Sequence, residues 1–128
     1  MSGQLPFVIK GSLSVTTDSA LTGARKGLTD STEATIFTFD TSTIKSCSIN
    51  FAGFQTSAQN GSSDKSMFTR IDVVSDGTNV FLTEYGTVAT DDEFVTFDAS
   101  ISGGVVSVKA TPSGGAATAE MYIESFNT

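Results

Sequence analysis

This sequence predicts an all-β chain: a single antiparallel β-sandwich domain of about eight strands, jelly-roll or immunoglobulin-like. Three observations carry the prediction. From Thr78 to Ile123 the runs TNVFLTEYG, EFVTFDASISGG, VVSVKATPSGG and ATAEMYIESF are rich in Val, Ile, Phe and Thr and are closed by glycine or acidic clusters, which is the chemistry of strands between turns. No segment holds a period of 3.6 residues over a helical length. Hydrophobic residues make up 38% of the 128, with ten Phe, while Ser and Thr together outnumber the charged residues. That mixture suits a thin sandwich whose strands bury one face and cover the other with hydroxyls. It also carries more apolar surface than a disordered chain does. The length is enough to bury a core without metal or disulfide support.

The first strand is expected over about Leu5 to Thr16, where Phe7, Ile9, Leu13 and Val15 alternate with Lys10, Ser12 and Ser14 and Gly11 marks a bend or bulge. TDSALTGARKGLTDST follows, with two glycines and no sustained period, and is expected as a loop from Asp18 to Thr32, either a contact arm or a plain crossover, with one helical turn near Ala20 as a further form. Alternation resumes in ATIFTFD, with Phe37 and Phe39 on one face, and in TIKSCSINFAGF, with Cys47, Ile49 and Phe51 inward against Ser46, Ser48 and Asn50. QTSAQNGSSDKS is a polar loop whose Asn60-Gly61 pair suits a tight turn. SMFTRIDVVSD is a long strand with Met67, Ile71 and Val73 inward, and Asp76-Gly77 turns it into NVFLTEYGTVA. After the acidic turn ATDDE, Val95, Phe97, Ala99 and Ile101 share a face. Gly103-Gly104 then turns into a strand burying Val106, Val108 and Ala110, which Pro112 stops. The last strand places Ala119, Met121 and Ile123 inward and Tyr122 outward.

A net charge of −7 argues against nucleic acid as a partner, because phosphate contact needs clustered Lys and Arg. Between Ile71 and Val108 stand Asp72, Asp76, Glu84, Asp91, Asp92, Glu93 and Asp98 without a Lys or Arg. One end or face is therefore electronegative, which serves solubility or a basic partner or divalent cation. Cys47 has no second cysteine to pair with, falls in phase with Ile49 and Phe51, and reads as a buried, inert thiol. No basic leader with a long apolar stretch opens the chain and no run reaches membrane-spanning length, so neither a secretory signal nor a membrane association is expected.

Catalysis is not expected. There is no histidine, adjacent acids such as Asp91 and Asp92 in a turn point into solvent, and no cofactor motif is present. Asp91, Asp92 and Glu93, with Asp76 or Glu84 nearby, form a weak calcium candidate, since hard cations want several oxygens, but the spaced loop of an EF-hand is missing. Carbohydrate binding is disfavoured by the lack of Trp and the presence of only Tyr85 and Tyr122. Arg25 and Lys26 in the long loop, and Tyr122 on an outer face, are candidate contact residues.

The phrases FDTSTIKSCSINFAGFQTS, IDVVSDGTNVFLTEYGTV and FVTFDASISGGVVSVKATP, in that order from about Thr38 to Phe126, resemble a β-domain recurrent in virion structural proteins of tailed bacteriophages, especially marine and cyanobacterial ones. The resemblance implies a non-enzymatic building block on the outside of a phage particle, assembled in the host cytoplasm. The chain opens on Met1 and closes soon after its last strand, which suggests a standalone module. A capsid decoration or cement protein follows, docked on the major capsid protein in many copies and associated with itself, as a homotrimer. The first thirty-odd residues, outside the match, would attach it: strand Leu5 to Thr16 on a neighbour's sheet edge, the Asp18 to Thr32 loop along the shell. A tail-fibre or receptor-binding module recognising a host glycan or protein is the alternative, and a tail or neck component a further one.

Overall fold

Alternation decides which side of each strand is buried, and in the computed structural model, which describes residues 12–16 and 19–127, it closes two antiparallel sheets on each other. The larger has the order β1 (Ser12–Thr16), β2 (Ser19–Leu28), β9 (Ala117–Asn127), β4 (Ile44–Gln55), β5 (Lys65–Ser75) and β6 (Val80–Ala89). The smaller has the order β3 (Ala34–Asp40), β8 (Val105–Pro112) and β7 (Val95–Ser102). The all-β sandwich expected from the sequence is therefore what the chain forms, with nine strands among the described residues where about eight were expected.

The large sheet contributes Cys47, Ile49, Phe51, Met67, Ile71, Val73, Ala119, Met121 and Ile123 to the core, and the small sheet Phe39, Val95, Val106, Val108 and Ala110. Every other position on β4, β5, β8 and β9 is thus removed from water, as the period of two requires. Phe51 of β4 meets Phe97 of β7 edge to face across the sandwich, ring centroids 4.8 Å apart, a favoured aromatic geometry.

Two local expectations are corrected and two are refined. The loop expected from Asp18 to Thr32 is mostly strand β2, paired with β9 from Ser19↔Phe126 to Leu28↔Ala117, and Leu28 is in the core. It thus extends this chain's own sheet instead of lying free as a contact arm. Asn60-Gly61 is the end of a single helical turn, α1 (Ser57–Asn60), where Thr56 and Gln59 form a capping box and Gly61 is the left-handed C-cap. In β3 Phe37 and Phe39 share one face as expected, opposite Val108 and Val106, with Phe39 buried and Phe37 partly covered. The register slips just before them, between Thr35 and Phe37, so that Ile36 is buried as well. The bulge admits Ile36 to the core ahead of that alternation. Asp76-Gly77 begins the β5–β6 hairpin connection as expected, a four-residue loop in which the Asp76 carboxylate accepts from the N–H groups of Thr78 and Asn79. Those bonds hold that carboxyl below its ordinary pKa. Phe7, Ile9 and the Gly11 bend lie outside the described residues.

Candidate functional site

The two outer faces of the sandwich differ in kind. Thr35, Thr38, Thr96, Ser100, Ser107 and Thr111 occupy outward positions on the small sheet, and Val105 is its one exposed large hydrophobic. On the large sheet the outward positions hold Phe54, Phe68, Val74, Phe81, Tyr85, Val88, Tyr122 and Phe126, all exposed. These are all the remaining large apolar side chains left in water among the described residues. Scattered single hydrophobics need no explanation, and a concentration of them on one face does.

The register sorts this face into rows. Phe126, Ser46, Val74 and Phe81 stand side by side across β9, β4, β5 and β6. The next row is Glu124, Ser48, Asp72 and Thr83, and the next Tyr122, Asn50, Arg70 and Tyr85. A polar row thus runs between two rows that end in aromatics on both sides. Ser46 and Ser48 are small, and a groove of about 290 Å³ forms over them, walled by Phe81 and Phe126 with Asp72, Val74 and Thr83 along it. A second groove of about 290 Å³ lies at the opposite end of the face, lined by Ala52, Phe54, Phe68 and Val88.

Hydrogen bonds hold the centre in place. Ser48 Oγ donates to Asp72 Oδ1 at 2.7 Å and Arg70 Nε to the same oxygen at 3.0 Å, while Arg70 Nη2 reaches Ser48 Oγ at 3.2 Å. The guanidinium lies 5.3 Å from the Tyr85 ring centroid, a cation–π distance. Burial pushes the Asp72 carboxyl upward, but the bonds from Ser48 and Arg70 and the Arg70 charge outweigh it and hold it below the ordinary range. The ring of Tyr122 lies over Gly23 of β2, whose absent side chain leaves that space: a Cβ there would sit 3.7 Å from Tyr122 Cε1.

Beneath the first groove Cys47 is buried, and desolvation, then the nearby Asp72 charge, pushes its thiol up to about 12. It stays protonated and unreactive at neutral pH. At the β6 edge the register slips opposite Thr69, where Gly86 takes φ +70°, a bulge that only glycine forms without strain. Glu84 faces inward just before it. Burial raises its pKa, and Glu93 adds repulsion in the same direction. A carboxyl raised on folding stabilises below its unfolded pKa and loses that contribution as pH rises through the folded value. Glu84→Gln is therefore expected to raise the thermal midpoint by a few degrees at pH 7 and by nothing near pH 4, read by calorimetry, the gain kept small by water screening at this half-open site.

The sequence-predicted site residues are not brought together. Arg25 is on the outer face, paired with Glu120, and shares that face with Tyr122. Lys26, one residue on, points to the opposite side of β2. Asp91, Asp92 and Glu93 are exposed in the β6–β7 turn, and Asp91 pairs with Lys65 at 3.4 Å. Among the described residues no group of three or more Cys, Asp or Glu side chains converges on a point suited to a metal ion. Sequence reasoning missed the Ser48–Arg70–Asp72 network and the aromatic rows, because the members come from strands whose neighbours only the register reveals.

No family model matches the chain, and no characterised protein matches it in sequence. In fold it is similar to part of tailspike gp49 from Acinetobacter baumannii bacteriophage Fri1, described as a capsular polysaccharide depolymerase, at 17% identity and a TM-score of 0.54 over 91% of this chain and 19% of that one. It also matches the Acinetobacter baumannii phage AM24 tailspike at 13% identity and a TM-score of 0.48, over 86% of this chain and 27% of that one. For the Acinetobacter phage vB_ApiP_P1 tailspike the values are 18% and 0.41, over 100% and 24%. The chain spans about a fifth to a quarter of the length of these tailspikes. The expectation of a protein without catalysis is corrected here. A protein sharing the fold is described as a depolymerase, and glycan cleavage runs on paired carboxylates, so the lack of histidine excludes nothing.

Proposed function

We propose that this chain is a module of a phage tailspike- or tail-fibre-type virion protein, and that it binds the host surface through the outer face of its six-stranded sheet. The observation that carries this reading is the gathering of the exposed aromatic side chains, with an ordered Arg–Asp–Ser cluster among them, on one side of the sandwich. Binding sites combine apolar area with a few fixed polar groups in this way. The fold shared with a segment of the Fri1 tailspike supports a place in the tail apparatus. It favours that place over the capsid-decoration role, docked on major capsid protein, expected from the sequence.

Two measurements separate the roles. The fluorescently labelled chain is expected to stain bacteria susceptible to the phage that encodes it. Mass spectrometry of purified virions is expected to find it in a small number of copies, as a tail component requires. Unstained cells together with tens to hundreds of copies per particle would return the chain to the capsid surface.

A further inference from the structure

We propose that the polar row between the aromatic rows is a subsite for a neutral glycan, a run of uncharged sugar rings laid across β9, β4, β5 and β6. The inference rests on the host-binding reading above and names the ligand of that face. Three features fit. The first is spacing: four adjacent strands span about 14 Å from the first to the last, so Tyr122 and Phe126 at one end and Tyr85 and Phe81 at the other frame an extended ligand. Aromatic faces take the apolar C–H side of a sugar ring, and the polar row between them takes its hydroxyls.

The second is the state of the polar groups. Thr83 of the polar row and Asn50 of the adjoining Tyr122–Tyr85 row make no side-chain hydrogen bond among the described residues, and neither belongs to the residues with further partners. Asn50 offers both donor and acceptor, and Thr83 a hydroxyl, which sugar hydroxyls can pair with directly. A protein partner covering them without such pairing would bear their desolvation cost.

The third is charge. On the outer face of β2, β9, β4, β5 and β6 the cations are Arg25 and Arg70 and the anions Glu120, Glu124 and Asp72. Both arginines are already committed, to Glu120 and to Asp72. No cation is left over for a carboxylated or sulfated sugar, and the chain as a whole carries −7. Acidic glycans are repelled here, and uncharged ones are not.

The test uses the full labelled chain on susceptible bacteria, pretreated either with periodate, which cleaves vicinal diols, or with protease. Staining is expected to fall roughly ten-fold after periodate and to survive protease. Raising salt to about 0.5 M, where screening acts within a few ångströms, should leave it within about two-fold. Tyr122→Ala and Asn50→Ala should each weaken binding roughly ten-fold, the scale of a buried contact, with Tyr122→Phe retaining most of it and all three keeping the wild-type circular dichroism. Staining that resists periodate but is lost to protease overturns the glycan while leaving host binding intact, and marks a protein receptor. Staining abolished by salt, or indifferent to Tyr122→Ala, also overturns it. No staining of untreated cells overturns host binding itself, and the glycan with it.

Discussion

Phe51→Ala is expected to cost about 4 kcal/mol, the middle of the range for truncating a buried aromatic, and to lower the thermal midpoint by roughly 10–20 °C. Phe51 is fully buried on β4. Its ring stands at 81° to Phe97 across the interface between the sheets. Removing it empties the middle of the sandwich, and β-sheets cannot close such a space without shifting whole strands. Since a domain is stable by only about 5–15 kcal/mol, the variant is expected to be folded but close to its limit at 37 °C. Calorimetry decides the matter: a drop under about 5 °C would mean that the two sheets are held together elsewhere.

Gly115→Ala is the second large effect. Gly115 sits in the β8–β9 turn with φ +143°, and a Cβ placed on it would lie 2.2 Å from the carbonyl oxygen of Gln59 in α1. Both the backbone conformation and the contact forbid a side chain, so a cost of about 3 kcal/mol or more is expected. The turn is clipped at several points: the Gln55 amide donates to the carbonyls of Ser113 and Gly115 at 3.0 and 3.1 Å, and the Gly115 N–H donates to Asp30 at 3.1 Å. Relief by movement would break those bonds. Gly27→Ala is the control, because nothing lies within 4 Å of a Cβ there, and its unfolding free energy from urea titration should match the wild type within about 0.5 kcal/mol. Equal midpoints for the two variants would show that the turn can move away from α1.

The strands that the sequence made legible are those whose side chains do the packing. Ile49 and Phe51, Ile71 and Val73, Val106 and Val108, and Met121 and Ile123 alternate because each pair lies on a fully covered face. β2 was invisible for the opposite reason. Ala20, Thr22 and Ala24 on its inner side and Gly23 and Gly27 on its outer side fill little space, and apart from Leu28 at its end the strand is held by main-chain pairing to β9, which leaves no mark on residue type. Ile36 broke phase through a bulge, a backbone event that period-counting cannot detect. The site was less legible still. Asp72, Arg70 and Ser48 each read as an ordinary outward polar residue, and only the β4–β5 register, with Ser48 opposite Asp72 and Asn50 opposite Arg70, makes them one cluster. The two tyrosines, too few for a carbohydrate platform when counted, fall in a single row with Phe81 and Phe126 in the row beyond the polar one.

β9 lies between β2 and β4, so the large sheet is stitched by pairings such as Ser19↔Phe126 and Leu28↔Ala117, made between residues some ninety or more positions apart. Such distant closures make folding slow, on the millisecond-to-second scale. Until the ninth strand arrives, β2 and β4 each present an unsatisfied rim. Where many chains emerge close together, that vacancy accepts a neighbour's last strand in the same register, and exchange of β9 is the misassembly to which this topology is most exposed.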